Sequence, residues 1–157
     1  LVKKIVDLRS VSNRTRNKLN RLYLTYPGGK GRALTSKLPN EMTNELARLI
    51  GHIQAEGSFG KNSVSFHNTN KDLLRDVQKC FLKVFGVHTR IKKRNMDHSS
   101  FKGNKPYYSV TANRQDILWW FKEIGLSTKQ INREIPAIIM ESTNEHICSY
   151  LRAYYNL

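Results

Sequence analysis

The chain has 157 residues, is 39% hydrophobic, and sets 27 lysines and arginines against 12 acids, for a formal charge of +15 and a pI near 10.1. That excess attracts polyanions and makes nucleic acid the expected partner, while no apolar run approaches the ~18 residues of a membrane span. No signal peptide opens the chain, and Leu1 is not an initiator methionine, so an intracellular setting, cytoplasmic or organellar, within a longer polypeptide is expected.

Residues 1–38 hold ten basic side chains against the single acid Asp7. Val2, Ile5 and Val6, then Leu19 and Leu22, give two short apolar helical faces separated at residues 10–12, where Ser12 is expected to N-cap a second helix. That outline suits a small helix-turn-helix led by Asn13, Arg14 and Asn17, or a basic arm that lies on DNA or packs against the main domain. Residues 26–31 break all periodicity and read as a linker; no Gly-Lys-Ser/Thr completes a phosphate loop there. The expected division is therefore a basic, mostly helical extension over 1–38 and a main domain over 39–157.

In the main domain, residues 45–57 combine features that core helices seldom share. Leu46, Leu49, Ile50 and Ile53 recur at helical spacing, and Asn40 or Thr43 is expected to cap them. Gly51 and Ala55, four apart, leave one side bare, so another helix backbone is expected to approach closely. Glu56 then faces the negative pole of the helix dipole, at a cost of ~0.3 to 1 kcal/mol that a bound cation would reverse, and Gly57 ends the helix as its C-cap.

Val64 and Phe66 alternate with Ser63, Ser65 and His67 as a half-buried strand. Thr69 and Asp72 suggest a capping box for a helix over 71–85, whose wide apolar stripe ends at Gly86. Val87, Thr89 and Ile91 then alternate with His88, Arg90, Lys92 and Arg94, four cationic or potentially cationic side chains on one face. Like charges repel at that spacing, and an anionic partner relieves the repulsion. Residues 96–104 read as a hairpin loop, after which Tyr108, Val110 and Ala112 point inward and Tyr107, Ser109 and Thr111 outward.

Asn113 is expected to cap a helix to about Ile124 whose Trp120 and Phe121 are core rather than a base-stacking platform, with Trp119 at the margin. Pro136 marks a further helix start, and Ser142 with Glu145 suggests a capping box for the last helix. Cys80 and Cys148 stand apart in apolar helical patterns and read as core thiols.

Residues 49–57, Leu-Ile-Gly-His-Ile-Gln-Ala-Glu-Gly, resemble the signature helix of the LAGLIDADG homing endonucleases, with Gly51, Ala55, Glu56 and Gly57 in register. A partial second copy begins at Leu151 and places Ala153 at its small third position, about a hundred residues on; the sequence stops before its acid. The resemblance covers about residues 40–157. It implies an α+β fold, an αββαββα repeat with a four-stranded antiparallel sheet lying in the major groove of double-stranded DNA, and signature helices packed side by side, from a second repeat of the chain or from a homodimer partner. It also implies a Mg²⁺-dependent, sequence-specific DNA endonuclease, with Glu56 as catalytic carboxylate, Glu56 and Gly57 at the metal, and Lys61, His67 or Lys93 near the attacking water. Lys61, Ser63, Ser65, His67, His88, Arg90, Lys92, Arg94, Tyr107, Ser109 and Thr111 become the DNA-reading set, and Gly51, Ala55 and Ala153 the helix seam. The alternatives are a non-catalytic binder of the same fold, either an RNA maturase or a DNA-binding regulator, and the endonuclease part of an intein.

Overall fold

The computed structural model describes residues 4–25, 36–94, 106–129 and 133–156. Its elements run α1 (Arg9–Thr25), α2 (Asn44–Glu56), β1 (Gly57–Phe59), β2 (Val64–Asn68), α3 (Lys71–Phe85), β3 (Ile91–Arg94), β4 (Tyr107–Ala112), α4 (Gln115–Glu123), α5 (Ala137–Met140) and α6 (Asn144–Tyr155). From α2 to α4 this is the αββαββα order, and the strands form one antiparallel sheet in the order β1-β2-β4-β3.

Strand alternation sorts the sheet as the sequence pattern requires. Val64 and Phe66 pair with Ala112 and Val110, all buried, on the inner face. Ser65 and His67 pair with Thr111 and Ser109 on the outer one. Helices cover the inner face. Phe121 of α4 lies 6.3 Å from Phe59 and 5.9 Å from Phe85, while Trp120 meets Phe85 edge-on at 5.8 Å, so both act as core. No helix among the described residues is long and apolar enough to cross a membrane.

The central helix α2 is capped by Thr43, whose side chain accepts from the Leu46 amide, and is buried on nearly every side. Its bare side receives α6. A Cβ on Gly51 would stand 2.5 Å from the Tyr150 carbonyl oxygen and 3.0 Å from the Ala153 Cβ, so glycine is what permits the approach. Tyr150 donates its hydroxyl proton to the Gln54 Oε1, and Gln54 Nε2 donates to the Glu134 carbonyl at 2.6 Å, tying three segments together. On the opposite flank, Asp76 of α3 accepts from Arg48 at 3.1 and 3.2 Å and meets His52 Nε2 at 3.0 Å. The hydrogen bond from His52, with the Arg48 charge, holds the Asp76 carboxyl below the usual carboxylate range.

Several local expectations need correction. Residues 9–25 form one helix, so there is no turn at Ser12 and no recognition helix beginning at Asn13. Ser12 is buried instead, donating to the Pro39 carbonyl at 2.6 Å and accepting from Trp120 Nε1 at 3.2 Å. Leu8 and Val11 join the same core as α2 and the sheet. Asn70 rather than Thr69 caps α3, Thr143 rather than Ser142 caps α6, and the residue before α4 is Arg114, which makes no side-chain cap. Each shift is a single residue, because the exact helix end depends on the entry angle of the chain. Gly57 does follow the helix, but in extended rather than left-handed backbone: α2 runs straight into β1, and a Cβ at Gly57 would overlap the Ile53 carbonyl. Cys80 is buried, its thiol pushed up to about 12 by desolvation, whereas Cys148 is exposed. The linker at 26–31 and the loop at 96–104 lie outside the described residues.

Candidate nucleic-acid interface and acidic site

The outer face of the sheet is built from the alternate residues of four strands. Ser58, Ser65, His67, Thr111, Ser109, Tyr107, Lys92 and Arg94 share it, and none is acidic. Hydrogen bonds knit it together. Ser65 and Thr111 hydroxyls are 2.9 Å apart, Ser58 Oγ meets His67 Nε2 at 3.0 Å, and Arg94 Nε donates to Ser109 Oγ at 2.8 Å. His67 also lies 6.2 Å from the Tyr107 ring, and its Nδ1 is buried without a partner among the described residues. Burial, then the Arg94 charge, push the His67 imidazole below its ordinary value, so the neutral ring is favoured.

Not every residue of the expected DNA-reading set is equally placed. Ser109 is 1% exposed beneath Arg94, so its hydroxyl orients the guanidinium instead of reaching a ligand directly. His88 and Arg90 are exposed but precede β3, which begins only at Ile91. Lys61 and Ser63 sit in the turn closed by the Gly60 amide and the Ser63 carbonyl.

Glu56, exposed, is the last residue of α2, and the next residue already pairs in the sheet, Gly57 with Phe66. The acid therefore stands at the corner of the sheet. Asn68, at the end of β2, donates its Nδ2 proton to Glu56 Oε2. Its Oδ1 accepts from the Asn70 amide at 2.7 Å, and Asn70 in turn caps α3, so the cap of α3 sets which way the Asn68 amide faces Glu56. Sequence reasoning missed Asn68; its signal was the Asn-x-Asn spacing before a helix start, which reads as a capping pattern alone.

The three candidates for the neighbourhood of the attacking water separate by register. Lys61 lies beyond all of β1, about 10 Å of strand from Glu56. His67 is one step past the residue paired with Gly57, and Lys93 falls in one row with Tyr108 and Asn68. Among the described residues no three His, Cys, Asp or Glu side chains come together as a metal cage. Glu56 and its neighbouring carbonyls fit a hard divalent cation in donor type, which then takes its remaining oxygens from outside this group.

An acid at the end of a helix whose glycine seam receives a second helix, set at the corner of a four-stranded sheet with a basic outer face, is the arrangement of one known family, and a family model described as LAGLIDADG-like domain matches residues 43–125, more than half of the chain. The chain belongs to the LAGLIDADG family. The matched span runs from the cap of α2 to Gly125, just past α4, and so covers one αββαββα unit. LAGLIDADG proteins are homing endonucleases and maturases, generally bind DNA, and their enzymes typically use divalent metals.

This LAGLIDADG chain spans about a tenth of the length of the curated relatives it matches. A glutamine-fructose-6-phosphate aminotransferase (isomerizing) of Methanocaldococcus jannaschii is 28% identical over 123 residues, 76% of this chain and 10% of that protein. A subunit of the A-type ATP synthase of Pyrococcus horikoshii is 23% identical over 120 residues, 75% of this chain and 11% of that protein.

Proposed function

We propose that this chain is the first repeat of a sequence-specific, Mg²⁺-dependent double-stranded DNA endonuclease. The observation that carries the reading is Glu56, a carboxylate at the unfavourable end of α2, held by Asn68 at the corner of an acid-free sheet face. Ser65, His67, Tyr107, Thr111, Lys92 and Arg94 would face the groove, with cations taking phosphates or guanine edges and hydroxyls taking base edges or waters. Arg94 is pre-oriented by Ser109, which lowers the entropy lost on binding. Glu56 and the Gly57 backbone would hold the cation, with Asn68 fixing the carboxylate. A divalent cation held there would supply activation of a water and charge neutralisation at the leaving oxygen of a phosphodiester.

The test is Glu56→Gln in the full-length protein. Cleavage in Mg²⁺ is expected to vanish while duplex affinity in Ca²⁺ changes by no more than a few-fold; unchanged cleavage overturns the assignment. A second reading, the endonuclease part of a protein-splicing element, is supported by the relatives: one is named an aminotransferase and the other a component of an ATP synthase, yet about three quarters of this chain matches about a tenth of each of them. That pattern is expected of an inserted segment independent of its host. Detection of a spliced product lacking this domain from the full-length gene would establish it.

A further inference from the structure

The endonuclease reading leaves α1 without a role beyond packing. Over residues 9–25 it carries Arg9, Arg14, Arg16, Lys18 and Arg21 and no acid. Leu8, Val11, Ser12, Thr15 and Leu19 bury one stripe, and every other side chain from Arg9 to Arg21 is exposed. A helix face that is merely solvated mixes both signs, because like charges at helical spacing destabilise it. Here counter-charge comes from outside. Glu123 of α4, 12% exposed, receives Arg14 at 2.7 Å and Lys18 at 2.5 Å, and Asp7 receives Arg9. Arg16 meets Asn13 Oδ1 at 3.3 Å and no carboxylate among the described residues. Arg9, Asn13, Arg16 and Asn20 follow one another at i, i+4, i+7 and i+11, forming a line of guanidiniums alternating with amides along the helix.

We propose that this line is a second binding surface for duplex DNA, directed at phosphates without reading sequence, and separate from the sheet face. The layer order gives the separation. α1 packs on α4, and α4 packs on the inner side of the sheet through Phe121, so helices stand between the α1 line and Ser65, His67, Lys92 and Arg94. The chemistry selects the partner. Arg16 has a guanidinium fork to offer a phosphate, a phosphate can displace the exposed Asp7 from Arg9, and the amides between them bond phosphate or sugar oxygens at no extra charge. A membrane surface would also ask for apolar side chains to insert, and the aliphatic residues of α1 up to Leu19 are buried in the core.

The proposal goes beyond the endonuclease reading and is tested apart from it, on the 157-residue chain. Fluorescence anisotropy with a mixed-sequence DNA duplex is measured over a range of KCl for Arg9→Gln/Arg16→Gln and, separately, for Lys92→Gln/Arg94→Gln. Circular dichroism melts confirm folding, and Asn13→Asp serves as a single substitution should the double variant unfold. The α1 variant is expected to lower the slope of log K against log salt by about 0.9 for each phosphate no longer neutralised, and Asn13→Asp to weaken binding. The effect is equal for unrelated duplex sequences. Unchanged affinity and slope in a folded α1 variant overturn the proposal even if the sheet variant loses binding. Loss confined to the α1 variant supports it and counts against the sheet. Tighter Arg16-dependent binding to an RNA duplex or to phosphatidylserine vesicles than to DNA overturns it as well.

Discussion

His67 and Asn68, neighbours on β2, put the chemistry of the site at the level of single side chains. Because burial and Arg94 depress the His67 value in the fold, the unfolded chain takes up a proton first as pH falls below the ordinary 6.5. The stability tied to neutral His67 is therefore complete above that pH and is lost as pH falls toward the folded value. Thermal midpoints from pH 7 to pH 5 should fall more in the parent than in His67→Asn; equal slopes would show that the ring titrates as though exposed. Asn68→Ala should weaken Mn²⁺ affinity at Glu56 about 10-fold, the scale expected when a partner orienting a metal ligand is removed. Its melting temperature should change little, because Asn68 is at a strand end. Isothermal titration of both proteins decides it: equal affinities mean that Glu56 is not held by Asn68.

At the scale of elements, the seam between α2 and α6 governs the architecture. Both helices approach where Gly51 faces the Tyr150 carbonyl and Ala153. Gly51→Leu must push backbone, not a flexible side-chain tip, and is expected to cost about 1 to 3 kcal/mol, or more if α6 is displaced. A urea midpoint that does not move would show that α6 has room to yield. The acid and the seam were legible in the sequence because helical spacing, small residues four apart and a terminal carboxylate are local patterns. The caps were less so: Asn70, Thr143 and Asp7 serve helix starts beside equally eligible neighbours, and only chain direction chooses among them. β3 is shorter than its alternation suggests because pairing with β4 begins only at Ile91.

For the whole molecule, the 157 residues carry one complete signature motif and hence one signature carboxylate, Glu56. With α6 already seated on α2, the chain should bind DNA as a monomer and should not cut both strands. Light scattering with a plasmid assay in Mg²⁺ checks this; a dimer that linearises plasmid would mean that two copies pair through α2 and supply two acids. The sequence by itself determined the alternation of the sheet, the apolar faces of α2, α3 and α4, the position of the acid, and the basic character of the chain. These depend on periods of two and 3.6 residues and on composition, which need no knowledge of distant partners. Only the tertiary structure decided that α1 joins the core through Ser12 and Trp120, 108 residues apart, that Gln54 and Tyr150 lock α2 to α6, that Ser109 lies under Arg94, and that Cys148 is exposed. Those outcomes depend on which surfaces meet when the helices close over the sheet, and long-range burial and hydrogen-bond satisfaction choose among arrangements that local pattern leaves equivalent.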